Sequence, residues 1–121
     1  MSAGRMRRVD EAVRAVLSDA IASDLKDPRI GFVTVTGVKT SPDLRHARVF
    51  VSVLGNEQAQ AATLEGLRSA HGFLQRRVAT ELTLKHTPAL TFEYDASVER
   101  GMRISRLLDD QARADQSGED G

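Results

Sequence analysis

The chain has 121 residues, 40% of them hydrophobic, with 17 bases balanced by 17 acids and no cysteine. Length and apolar content set one domain with one modest core and exclude an intrinsically disordered chain. Without cysteine there are no disulfides, thiolate metal sites or cysteine nucleophiles, a composition that fits a reducing, cytoplasmic setting.

Arg5, Arg7 and Arg8 open the chain, followed by Val9, Asp10 and Glu11. That order lacks the apolar stretch of a secretory leader, and no run reaches the ~18 apolar residues of a membrane span. Val9, Ala12, Val13, Val16, Leu17, Ala20 and Ile21 keep three-and-four spacing, which predicts an amphipathic helix over about 5–25. Asp27-Pro28 stops it, because the residue before proline is driven out of the helical region.

Two β-rich runs follow, over 32–40 and 44–54. Val33 and Val35 share one face, Val49, Val51 and Val53 another, and Ser41-Pro42-Asp43 supplies turn chemistry for an antiparallel hairpin. Gly55-Asn56 then breaks the second run. The helical period returns over 58–82 through Leu64, Leu67, Leu74 and Val78, interrupted by Ser69-Ala70-His71-Gly72. A glycine costs ~1 kcal/mol against alanine inside a helix, so a kink is expected there, assigned to Gly72. Pro88 starts a last strand over 90–94, and Val98, Met102, Ile104, Leu107 and Leu108 predict a short helix over 97–108. Phe32, Phe73 and Phe92 fall in core-like positions, while Phe50 faces away from its valine neighbours. The order α-β-β-α-kink-α-β is that of a two-layer α+β domain with its helices on one face of a three-stranded sheet.

Catalysis finds no support. His46, His71 and His86 lack partners at metal-ligand spacing, and no nucleophile elbow, Walker loop or dinucleotide fingerprint is present. Adjacent acids such as Asp10-Glu11 point apart on a helix and read as solvated charges. No cofactor, metal or small-molecule substrate is expected.

The balanced charge conceals an asymmetry. Five acids and one base lie beyond Leu108, which leaves 16 bases against 12 acids over residues 1–108. Residues 109–121 read as an acidic, disordered tail. Within the body, Arg68, Arg76, Arg77 and Lys85 gather around the central helices and Arg45 and Arg48 flank the hairpin turn, a pattern suited to phosphate contacts. A solvated arginine-rich surface is the competing reading. With no tryptophan and few aromatics outside the core pattern, a base-stacking sheet is disfavoured over recognition of RNA backbone or shape. Ser69-Ala70-His71-Gly72 occupies the place of the G-x-x-G loop that brings RNA backbone close to helix N-termini in KH domains; a packing glycine is the alternative.

Five ordered blocks carry a family resemblance: Lys26-Asp27-Pro28-Arg29-Ile30-Gly31-Phe32-Val33-Thr34-Val35-Thr36, Asp43-Leu44-Arg45-His46-Ala47-Arg48-Val49-Phe50-Val51, Ser69-Ala70-His71-Gly72-Phe73-Leu74, Pro88-Ala89-Leu90-Thr91-Phe92, and Asp95-Ala96-Ser97-Val98-Glu99-Arg100-Gly101. Over about residues 5–108 the chain resembles the ribosome-binding factor A family. The resemblance implies a type II KH-like fold over residues 1–108 and non-enzymatic binding to the small ribosomal subunit and its rRNA during late maturation. It also implies support of rRNA processing and of growth in the cold. The expected RNA-binding residues are Arg5, Arg7, Arg8, Arg45, Arg48, Arg68, Ser69, Ala70, Gly72, Arg76, Arg77 and Lys85, on a monomer without membrane contact. A KH-like RNA-binding regulator not dedicated to the ribosome, and a protein-interaction module using the hairpin edge, are the alternatives.

Overall fold

A computed structural model describes residues 3–97. Helix α1 spans Ala3–Ser23 and buries Val13, Leu17, Ala20 and Ile21, the stripe its periodicity predicts. Strands β1 (Val33–Thr40) and β2 (His46–Val53) form the hairpin, helices α2 (Glu57–Ser69) and α3 (His71–Glu81) follow, and β3 (Ala89–Tyr94) closes the order. The sheet runs β1-β2-β3, with β1 antiparallel and β3 parallel to β2. The expected α+β element order is therefore present through β3. The helix predicted over 97–108 and the tail predicted over 109–121 lie outside the described residues.

The valines of the two hairpin strands share a single face. Val33 pairs with Val53, Val35 with Val51 and Val38 with Val49. Strict alternation could not bring Val38 inward, since it stands an odd number of residues after Val35. A bulge at Thr36 resets the phase by inserting one unpaired residue. Thr36 Oγ1 donates to Phe50 O and to Asp95 Oδ2, and Arg14 Nε donates to Val35 O beside the bulge. The core is completed by Leu67, Leu74 and Val78 from the helices and Leu90 and Phe92 from β3.

Three expectations are corrected here. Phe32 is 82% exposed, because alternation along the chain puts it on the face opposite Val33 and Val35. The second strand starts at His46 and not at position 44: Leu44 takes a left-handed backbone (φ 62°), with its N–H on Ser41 O and its side chain buried in the turn. The helix kink is present, but Gly72 does not make it. Ala70 carries the break (φ −86°, ψ 7°) between two helices whose hydrogen bonding continues across it, Ala70 N–H to Gly66 O and Leu74 N–H to Ala70 O. Gly72 has no positive φ, and a Cβ there would meet nothing within 4 Å.

The glycine with a packing role is Gly66. A Cβ on it would stand 2.7 Å from Ile30 Cγ1 and 3.5 Å from Arg29 Cβ. The 27–30 segment lies on α2 at this point, with Arg29 Nη1 3.4 Å from Glu65 and Thr63 Oγ1 donating to Arg29 O. Gly72→Ala should therefore stabilise the domain by about 0.5–1 kcal/mol through helix propensity. Gly66→Ala should destabilise it by about 1–3 kcal/mol through overpacking. Urea denaturation of the two variants checks both signs, and a loss of stability at Gly72 would return the kink to that residue.

Candidate nucleic-acid interface

The basic residues divide into clusters according to what each helix and strand does with them. At the α2–α3 junction, Arg68 and Ser69 end α2 on the exposed side, Ala70 packs against the core, and His71 and Gly72 begin α3. Arg68 Nη2 donates to Phe92 O at 3.1 Å, on the edge of β3 that has no neighbouring strand among the described residues. Arg68, His71 and residues 90–93 line an open cleft of about 330 Å³ there. Further along the same edge, Gln75 clasps β3: its Nε2 donates to Pro88 O and its Oε1 accepts from Leu90 N–H at 3.2 Å. These side chains satisfy backbone groups that an unpaired strand edge would otherwise leave open.

A second cluster follows from the parallel register. His46 pairs with Ala89, and Ala89 N–H donates to Arg45 O at 2.8 Å. The starts of β2 and β3 thus adjoin, and Arg45 and His46 face Lys85, His86 and Thr87 across an open cleft of about 550 Å³ that Gln75 also lines. Arg5, Arg7 and Arg8 are exposed on α1 just ahead of Asp10, whose carboxylate accepts from Thr40 N–H at 2.9 Å. That bond places the arginine-bearing end of α1 toward the hairpin turn.

Arg48 sits apart, on the face of the sheet that carries no helix among the described residues. Its guanidinium lies 5.0 Å from the centre of the Phe50 ring and binds Glu93 through Nε (2.7 Å) and Nη2 (3.1 Å). Phe50 does face away from the valines, as its position in the strand predicts. Arg48 holds the Glu93 carboxyl below its ordinary range, mainly by hydrogen bonding and with a smaller attraction from Arg68.

Arg76 and Arg77 do not act as a pair. Arg76 is exposed, whereas the Arg77 side chain is only 22% exposed and lies among three carboxylates. It meets Glu81 at 3.3 Å on its own helix, Asp19 at 3.1 Å on α1, and Asp24 just past the end of α1. Adjacent positions on a helix point in different directions, and here the outward one is Arg76. Arg77 fastens α3 to α1.

Arg29, within the first family-like block, is engaged too, with Asp27 at 2.6 Å and Glu65. Hydrogen bonds from Arg29 hold the Asp27 carboxyl down at about 2. Sequence reasoning passed over Gln75, His46 and His86. The histidines were weighed one at a time by linear spacing, and only the β2–β3 register brings His46 and His86 to one cleft. Among the described residues no group of three or more His, Cys, Asp and Glu side chains could hold a metal ion, and no helix is long and apolar enough to cross a membrane.

The family model for ribosome-binding factor A matches residues 5–108. The chain is 52% identical over 116 residues to ribosome-binding factor A of an Anaeromyxobacter species, covering 95% of each chain. It is 48% identical over 104 residues to that of Geobacter metallireducens, covering 86% of this chain and 88% of the relative. Among solved structures, the crystal structure of ribosome-binding factor A from Thermus thermophilus superposes with a TM-score of 0.65 at 26% identity, covering 74% of this chain and 94% of the other. A Thermus thermophilus homology model fitted into a cryo-EM map of a complex with 30S is similar at a TM-score of 0.58 and 26% identity, covering 69% and 88%. The fold common to these proteins is KH-like.

Proposed function

This chain belongs to the ribosome-binding factor A family, and on that footing we propose that it is a non-enzymatic assembly factor for the small ribosomal subunit. It works in the cytoplasm as a monomer without a cofactor, through a domain ending near residue 108. It docks on rRNA phosphates during late maturation, holds an immature arrangement while rRNA processing proceeds, and then leaves. Growth in the cold would depend on it most, because misfolded rRNA helices rearrange more slowly at low temperature.

The observation that carries this reading is the distribution of cations along one side of the molecule. Arg68 at the helix junction and Arg45 and Lys85 near the starts of β2 and β3 line clefts along the β3 edge, with Gln75 between them, and Arg76, next to Gln75 on α3, is exposed. Such a row suits a phosphate backbone, since each contact releases counterions and needs no particular base. The junction is a kink with continuous hydrogen bonding and no inserted loop, so contact with rigid, structured rRNA is favoured over clamping of a flexible single strand. Arg48 and Arg77, already held by carboxylates, contribute less to this row.

Sucrose-gradient fractionation of cell lysate tests the proposal. The protein should sediment with free small subunits more than with translating ribosomes. Uniform distribution over polysomes, or absence from every ribosomal fraction, would sink it.

A further inference from the structure

We propose that the cleft between the starts of β2 and β3 is a proton-sensitive phosphate site, in which Arg45 and Lys85 supply permanent charge and His46 and His86 add charge as pH falls. The identification of the phosphate as RNA backbone rests on the function proposed above; the anion-binding character of the cleft does not.

Four of the seven lining residues, Arg45, His46, Lys85 and His86, are cationic or become so on protonation, and none of the seven is a carboxylate. The remaining three are Gln75, Thr87 and Ala89, so the other polar groups are neutral. The walls are fixed by backbone and not by the charged groups themselves. Arg45 O accepts from Ala89 N–H, and Gln75 grips both Pro88 O and Leu90 N–H. The cations are thereby brought together by the parallel register, at the cost of mutual repulsion that an anion would relieve.

The charged groups facing the imidazoles can be taken element by element. From the hairpin turn comes Asp43, whose carboxylate accepts from Ser41 Oγ at 2.6 Å and from Arg45 N–H at 3.0 Å. Those bonds, with smaller attractions from Arg45 and His46, hold it below the usual carboxylate range. Asp43 therefore offsets part of the positive charge but stands outside the lining. Arg45 comes from the start of β2 and Lys85 from the segment before β3, while α3 presents neutral Gln75 and β3 presents Ala89. Two of the four groups are imidazoles, the side-chain type whose charge can change near neutral pH. A volume of about 550 Å³ admits a phosphate together with its sugar.

The test joins NMR to binding. Histidine ring resonances of the full chain are followed from about pH 8 to about 5.5, first with inorganic phosphate and then with a short RNA hairpin of mixed sequence. Phosphate should raise the titration midpoints of His46 and His86 but not that of His71. Affinity for the RNA should rise about three- to tenfold over the same interval. A His46→Gln/His86→Gln variant should lose that rise, and Arg45→Gln/Lys85→Gln should weaken binding at every pH. If phosphate moves the two imidazoles but RNA does not bind, the anion site stands and the RNA reading falls. If RNA binds while neither imidazole responds to phosphate or RNA, the site proposed here is overturned and the RNA reading stands. Persistence of the pH effect in the double histidine variant, with its loss in His71→Gln, would also overturn it.

Discussion

Replacing Arg76 by glutamate should weaken binding to small ribosomal subunits at least tenfold, about 1.4 kcal/mol, while the melting temperature stays near that of the parent. The same replacement at Arg77 should lower the melting temperature by several degrees. The two residues are neighbours in sequence and chemically identical, so the contrast isolates what their surroundings do. Arg76 is exposed beside the helix junction and reversing its charge alters only what the surface offers a phosphate. Arg77 bridges Asp19 of α1, Asp24 just past its end and Glu81 of α3, and a glutamate there would set a fourth carboxylate among three. For Arg76→Glu the logarithmic salt slope of binding should become shallower by about one phosphate contact. Thermal melts together with subunit binding at two salt concentrations separate the roles. If Arg77→Glu melts with the parent and loses binding as Arg76→Glu does, both guanidiniums belong to the interface and the α1–α3 bridge is dispensable.

The largest loss of stability is expected at Phe92. Its side chain is 2% exposed, on an edge strand covered by α2, and its carbonyl holds Arg68. Truncation to alanine should cost about 3–5 kcal/mol. A small domain has about 5–15 kcal/mol in all, so a measurable unfolded fraction should appear near growth temperature. Phe32→Ala is the matched comparison, and at 82% exposure it should cost no more than about 0.5 kcal/mol. Guanidinium denaturation of the two variants gives the numbers. Equal losses would mean that Phe32 packs in solution.

Those two phenylalanines show where sequence reasoning succeeds and where it stops. Hydrophobic period marks α1, both hairpin strands, the central helices and β3, because burial of one face is a local demand that every element meets in its own residues. Strand ends are less legible. Phe32 adjoins the alternating run, yet as the immediate neighbour of inward-facing Val33 it falls on the opposite face, outside the core. Leu44 also reads as strand, and only the tight turn explains why a buried leucine accepts a left-handed backbone. At the helix junction the interruption is legible but its owner is not: small residues advertise a kink, while ψ at Ala70 decides where it falls. The basic residues could be counted from sequence, but not sorted into paired and available. Arg48 meets Glu93 across 45 positions and Arg77 meets Asp19 across 58, distances at which no spacing rule operates.

Parallel pairing of β2 with β3 also dictates an order of events when the chain is first made. A hairpin can close as soon as its second strand exists, but a parallel neighbour must wait for a crossover, here α2 and α3 together. Until residues 89–94 leave the ribosome, the wall supplied by Leu90 and Phe92 is missing, and Leu67 and Leu74 have that side of the core open. Arg68 and Gln75 likewise lack the backbone groups they will bind. Closure is a long-range contact, slow relative to the local helices and hairpin. The nascent chain therefore passes through an interval with its helices and hairpin formed and one flank of the sheet uncovered. The side proposed to face RNA is completed by the same strand that closes the core.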